Sequence, residues 1–524
     1  MPIQHDPADV GADARFSDTS VPRRGLYDYI IAGGGTAGCV LASRLTEDPT
    51  ISVLLLERGS VHNTFTMRCP LLSSSYAQGK HPSVRWNSTP LTAANGRVLE
   101  ILTGTVLGGA SRFNSMLYTR GSPAQYDEWR RQGRVGWSYA DLEPYFIKSE
   151  NAVSTSGYYH GTEGPWSNRH FDKFLFKPNV ATSAVKAAKD LGISYTDDVN
   201  APEGPCVSCA KIPVTLASDG KRLSTFDAFL PPLITTQRRR VAICTDTLVT
   251  KIDFDVGGVQ PVASGVFFKP YESTPKQRPF YARDQSHQGF ARRWPQFDHV
   301  GTTITYRVSD TLHALESSLT RALTEFLNYL IRGRGLFTNP SVQVSIFAKS
   351  DNLGDDAEPG VEETNRETFP DIEIMPIPHE CTYVTSQKSQ GFFSFICVPL
   401  QPKSSGTVEL FSHDPYANPK VDLGFFTREG DIEVVRKLDE QLDAFIGQNV
   451  RTTYHYASSC RMAQEHDTVP GVVDDELRVH GVSRLRIADA SIFPDIVATH
   501  LQAPVVMVAE KCADMLKKTW SATN

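Results

Sequence analysis

Three glycines carry the first chemistry in the chain. Gly33, Gly35 and Gly38 stand in G-x-G-x-x-G spacing, with Thr36 and Ala37 between the last two. At the first position glycine permits a tight turn. At the second it lets backbone approach an anionic ligand, because no Cβ intervenes. At the third it lets a helix sit close to a strand. The free N–H groups and the dipole at such a helix start favour an anion, so capture of a pyrophosphate is expected. Glu57 follows Gly38 by 19 residues, where a carboxylate accepts hydrogen bonds from a ribose hydroxyl pair. The elements needed to position these groups are present. Tyr29–Ile31 is a β-prone run, Val40–Leu45 has helical composition, and Ile51–Leu56 reads as a buried strand. Strand, turn, helix, strand and acid predict a dinucleotide-binding unit, with FAD and NAD both open at this point.

A second glycine turn lies in Thr103–Gly121. Leu107, Gly108 and Gly109 precede Ser111 and Asn114, which suggests either an ordinary helix start or a backbone cradle for a flat or anionic ligand. Near the C-terminus, Tyr454–Met462 reads YHYASSCRM and Leu477–Ser491 reads LRVHGVSRLRIADAS. Through these stretches and the first glycine unit, residues 25–518 resemble the glucose–methanol–choline (GMC) oxidoreductases, which are FAD enzymes. Thr103 and Ala110 depart from the family pattern, which often has Arg and Ser there.

The resemblance implies FAD as cofactor. It places Leu107–Asn114 along the isoalloxazine and part of the pyrophosphate, Val249 at the adenine edge through its backbone, and Asp489 and Ala490 at the pyrophosphate and ring. It sets His455 and His500 in front of the flavin. Alcohol oxidation needs a base for the hydroxyl proton while hydride leaves the carbon for flavin N5, and imidazole suits that task near neutral pH. His455 is assigned as base and His500 as the partner that orients the substrate oxygen. His299, His313 and His480 are read as structural. The implied substrate is a small-molecule alcohol, with oxygen or another acceptor reoxidising the flavin, possible roles including secondary metabolism. The alternatives are a lyase or isomerase using the same histidine pair, or an inactive, truncated homologue.

Composition agrees with an ordinary soluble globular protein. The chain has 524 residues, 40% hydrophobic and 21% charged, with a formal net charge of −6, which gives nucleic-acid binding no support. No apolar run reaches the roughly 18 residues of a membrane span. The N-terminus is polar and lacks an apolar signal region, so a cytoplasmic protein is expected. Nine cysteines are scattered, and the lone Cys206–Cys209 pair predicts loop thiols rather than zinc. No metal is expected.

The predicted class is α/β and α+β: a Rossmann-like FAD-binding domain with a substrate domain built on an antiparallel sheet with helices on one face. Residues 1–25 are expected to be a disordered lead-in, 26–150, 211–301 and 451–518 the three parts of the FAD domain, 151–210 a substrate or cap segment, and 302–450 the substrate domain. Asn63–Arg97 reads as long loops, Val241–Phe254 as one strand, Leu485–Ile487 as a buried strand, His313–Leu336 as a helix and Glu429–Asn449 as another. Residues 284–297 have no strand period and stand where the family has a further strand, so an apparent deletion and a strand missing from the FAD-domain sheet are expected.

Overall fold

The computed structural model describes residues 3–5, 10, 26–73, 82–171, 173, 178–231, 240–271, 294–308, 318–340, 342–353, 369–377, 391–436 and 443–523. Tyr29–Ala32 pairs in parallel with Val53–Leu56, whose other edge pairs in parallel with Val241–Cys244. All four residues of Val53–Leu56 are buried, as a parallel strand covered on both faces should be. The glycine turn leads into the helix Thr36–Leu45, where Ala37, Val40 and Leu41 join Val505, Val506 and Ala509 of the C-terminal helix Gln502–Thr523 in one core.

Several expectations change here. Gln4 forms a parallel bridge to Cys244, donating its N–H to the Ile243 carbonyl at 2.9 Å, and Val10 is buried beside Leu54 and Leu56. The open edge of Val241–Cys244 thus gives part of the lead-in a place to pair; the rest of residues 1–25 lies outside the described residues. Val241–Phe254 divides at Thr245–Asp246 into Val241–Cys244 and Thr247–Asp255, because Asp246 adopts a left-handed φ of 54°. Within Asn63–Arg97, Phe65–Arg68 and Pro70–Ser73 are short helices, and Ser83–Asn87 pairs antiparallel with Glu100–Gly104.

Among the described residues the second sheet has seven strands, ordered Arg451–Thr452, Val300–Val308, Gly391–Pro399, Ile372–Ile377, Val344–Ala348, Ser208–Lys211 and Tyr195–Thr196. All its pairings are antiparallel except the last. Residues 151–210 therefore deliver two of its strands, and Val300–Val308 begins it inside the segment expected to close the FAD domain. Period-2 alternation separates its faces. Cys209, Val344, Ile346 and Ile372 pack under Ala188 of the helix Pro178–Asp190 and Val434 of the helix Glu429–Arg436. Phe347, Met375, Ile377 and Val398 face Met116, Leu117 and Ala498 from the dinucleotide side. The expected class, α/β with an antiparallel second sheet, is the one observed.

Residues 284–293 of the apparent deletion lie outside the described residues. Trp294–Gln296 does form a strand, paired with Gly406–Val408, contrary to expectation. Leu485–Ile487 is not a strand: it is half-buried and held by isolated contacts such as Val479 N–H to the Leu485 carbonyl at 3.0 Å. A strand needs a neighbour to take its N–H and C=O groups, and among the described residues none lies in a ladder with it. The helix expected over His313–Leu336 is described as Leu319–Arg332, closed by Gly333 at φ 61°, with 309–317 outside the description. The one over Glu429–Asn449 is seen as Glu429–Arg436 and Asp443–Asn449, with 437–442 outside it.

Candidate active site

The glycine turn is built for close approach. Gly33 has φ 106°, and a Cβ on Gly38 would lie 2.0 Å from the Gly33 carbonyl oxygen. A Cβ on Gly33 or Gly35 would meet nothing within 4 Å, so the turn borders open space. Gly35 caps the helix without a side-chain hydrogen bond. The first-turn amides around Thr36 and Ala37 are thus left for an anion. This open, amide-lined turn fits a dinucleotide pyrophosphate.

Glu57 is buried, and its carboxylate accepts from the Gly34 N–H at 2.8 Å and the Gly59 N–H at 2.7 Å. Burial pushes its carboxyl up to about 7, against the pull of those amides. Its bonds fasten the turn, and each oxygen keeps a second lone pair. Val249 lies on Thr247–Asp255, packed near Leu54 and Leu56 at the same end of the sheet.

The second turn locks onto the first. The Gly108 N–H donates to the Gly34 carbonyl at 2.7 Å, and Gly109 backs against Gly35 so closely that a Cβ there would lie 2.8 Å from the Gly35 Cα. Leu107 is fully buried beside Cys39. Ser111 Oγ donates to the Gly108 carbonyl at 2.6 Å, and Asn114 Nδ2 donates to Gln502 Oε1 at 2.7 Å. Ser111 thus fastens the turn to itself, and Asn114 ties it to the start of the C-terminal helix, two residues after His500. The following element is a short 3-10 turn, Gly109–Arg112, instead of the expected helix.

Asp489 and Ala490 are tied to the histidine segment. Ser458 N–H donates to the Ala490 carbonyl at 3.1 Å, Cys460 N–H to Ser491 at 2.8 Å and Met462 N–H to Ile492 at 2.8 Å. Asp489 is exposed, and its Oδ1 accepts from Ser491 N–H at 2.9 Å.

His455 sits between two left-handed residues, Tyr454 at φ 62° and Ser458 at φ 67°. Such backbone is costly for non-glycine residues and is characteristic of functional sites. The segment runs antiparallel to 297–301, with bridges Phe297–Ala457 and Val300–Thr452. Buried Asp298 accepts from His455 N–H at 2.8 Å and from Thr452 Oγ1 at 2.5 Å. Burial pushes its carboxyl up to about 7.

The imidazoles of His455 and His500 meet edge to face, with centroids 5.3 Å apart and planes at 85°. His299 Nδ1 lies 2.9 Å from His455 Nδ1, and His299 Nε2 lies 3.1 Å from the Leu400 carbonyl. Burial, with the nearby His299 and His500, holds His455 well below the usual imidazole range. Burial brings His299 down to about 4. Both rings are therefore neutral near pH 7. His500 Nε2 lies 3.1 Å from Oε1 of Glu373, a buried carboxylate. Burial alone would raise the Glu373 carboxyl, but the charge and hydrogen bond of His500 outweigh it and hold the group below the ordinary carboxylate range.

Sequence reasoning missed two members of this cluster. His299 reads as structural because its contact with His455 spans 156 positions. Glu373 left a usable signal: in DIEIMPI it shares the strand face of Met375 and Ile377, an acid on an otherwise apolar stripe.

Sequence models described as GMC oxidoreductase match residues 27–286 and 434–509. The oxygen-dependent choline dehydrogenase of Yersinia pseudotuberculosis serotype O:1b (strain IP 31758) is 30% identical, over 94% of this chain and 94% of that protein. The chain belongs to the GMC oxidoreductase family. The oxygen-dependent choline dehydrogenase of Proteus mirabilis (strain HI4320) is 29% identical over 94% of this chain and 96% of its own. Among solved structures, an FAD-dependent oxidoreductase from Chaetomium thermophilum superposes with a TM-score of 0.80 at 21% identity, covering 95% of this chain and 100% of that one. This GMC oxidoreductase is an FAD-dependent oxidoreductase. No helix among the described residues is long and apolar enough to cross a membrane.

Proposed function

We propose that this GMC oxidoreductase converts a primary alcohol to an aldehyde, with His455 as general base and His500 as the group that orients the substrate oxygen. The observation that carries the reading is the pair of imidazoles meeting edge to face, one neutral and half-buried, the other bonded to a buried carboxylate. A neutral imidazole can take the hydroxyl proton; an imidazole that gives its Nε2–H to Glu373 and carries a hydrogen on Nδ1 as well can hold the oxygen by donating to it. Met375 and Ile377 share the strand face of Glu373, so the carboxylate that bonds His500 stands beside apolar side chains.

FAD would be held by Gly33, Gly35, Thr36, Ala37 and Gly38 at the pyrophosphate, with Glu57 and Val249 toward the adenosine. Leu107–Asn114, Asp489 and Ala490 would border the ring. Its chemistry is acceptance of hydride from the alcohol carbon. The name of the choline dehydrogenase relatives makes choline the first alcohol to try, beside aromatic and aliphatic primary alcohols.

The test is anaerobic mixing of the purified, flavin-containing protein with each alcohol. Bleaching of the visible flavin band, lost in His455→Ala with flavin still bound, is the expected result. A bound flavin that no alcohol bleaches, together with non-redox turnover dependent on His455, would replace this reading with a lyase or isomerase.

A further inference from the structure

His299 has no part in the chemistry described so far, yet it is fully buried and its two ring nitrogens are both committed. One partner is a backbone carbonyl, which can only accept a hydrogen bond. His299 Nε2 must therefore carry a hydrogen to serve Leu400. In a neutral ring, His299 Nδ1 is then a bare acceptor, and its partner among the described residues is His455 Nδ1 at 2.9 Å, which has to donate. A neutral His455 with its hydrogen on Nδ1 has its lone pair on Nε2.

We infer that His299 is a positioning residue that, anchored on the Leu400 carbonyl, fixes His455 in the tautomer protonated at Nδ1 and bare at Nε2. This deepens the reading of His455 as base and rests on it. The direction of the chain matters. During reaction the substrate O–H bond breaks, its electron pair stays on oxygen, and the proton forms a bond to His455 Nε2. The resulting imidazolium keeps its Nδ1–H on His299. The proton travels no further, because the chain ends at a carbonyl that cannot receive it. His299 thus stabilises the charge that develops on His455 and does not drain it.

A residue that merely filled space would not care about polarity, and this separates the two roles. His299→Gln can reproduce both bonds, with its amide N–H on Leu400 and its carbonyl facing His455 Nδ1. His299→Leu keeps volume and loses both. Partners that orient a working imidazole typically contribute about tenfold to a hundredfold.

The experiment is 15N NMR of the full-length, FAD-loaded protein labelled at histidine, with resonances assigned by single substitutions, paired with the rate of flavin reduction by alcohol. The expected spectrum has His455 protonated at Nδ1 only and His299 at Nε2 only. His299→Gln keeps the His455 pattern and stays within about threefold of the parent rate, and His299→Leu mixes the His455 tautomers and slows reduction about tenfold to a hundredfold. His455 protonated at Nε2 in the parent protein overturns the inference, and so does an unchanged tautomer and rate in His299→Leu. The parent spectrum decides the matter if His299→Leu does not fold. Full activity in His455→Ala beside the expected spectrum would overturn the reading of His455 as base while leaving the tautomer assignment intact.

Discussion

Two histidines in this molecule have been pushed in opposite directions. His160 lies between Glu150, 2.9 Å from Nδ1, and Asp198, 2.7 Å from Nε2. Both partners are carboxylates, so both ring nitrogens must carry hydrogens, and only the imidazolium satisfies the site. Burial works against that charge, but the bonds to Asp198 and Glu150 overcome it and push His160 up to about 9. Arg120 adds a 2.6 Å bond to the same Glu150. His455 is half-buried, but among the described residues its ring meets a neutral imidazole, His299, and His500, and its affinity for a proton falls. Burial of a histidine therefore says little by itself. The partners decide whether it is a charged staple or a proton acceptor.

This contrast can be broken at either end. The largest effect is expected for His455→Ala, with flavin reduction by alcohol falling about a hundredfold to ten-thousandfold while flavin stays bound. Next is His160→Gln, which leaves two carboxylates short of a cation. Its activity should stay near that of the parent while chemical denaturation reports a loss of about 3–5 kcal/mol. The pH dependence sharpens the point. A histidine raised from an ordinary 6.5 to about 9 stabilises the fold fully below 6.5 and loses that contribution as pH rises through 9. The parent should weaken across that window, and His160→Gln should lack that component.

Glu373→Gln tests whether a carboxylate gives His500 its role. It keeps an acceptor and removes the charge, so reduction should slow about tenfold to a hundredfold with little change in melting temperature. The smallest effect should come from Gly35→Ala. Gly35 has φ −74° and open space at its Cβ position, so alanine fits the fold and intrudes only where a pyrophosphate would lie. Flavin affinity, followed by fluorescence on titration into apoprotein, should fall roughly tenfold, about 1.4 kcal/mol, with folding unchanged. Equal flavin affinity in parent and variant would remove the turn from the cofactor site.

The parts of this arrangement visible in sequence are those whose constraint is local. Glycines at fixed spacing, a strand ending in Glu57 and a histidine inside a nine-residue motif need no knowledge of distant chain. The histidine cluster is different. His299 reaches His455 only because 297–301 and 451–457 run antiparallel, and Glu373 reaches His500 only through the register of the second sheet. Ile3–His5 escaped for the same reason: its partner is the edge of Val241–Cys244, nearly 240 residues away. Leu485–Ile487 failed in the opposite sense. Its β-prone composition is real, but composition makes a strand only where a ladder partner exists.

A pH titration of His160 and His455 by NMR in the folded protein separates the two sites most sharply. His160 should stay protonated past neutrality, and His455 should stay neutral throughout the range in which the protein remains folded. A His455 that titrates near the ordinary 6.5, or a His160 that is neutral at pH 7, would contradict that expectation.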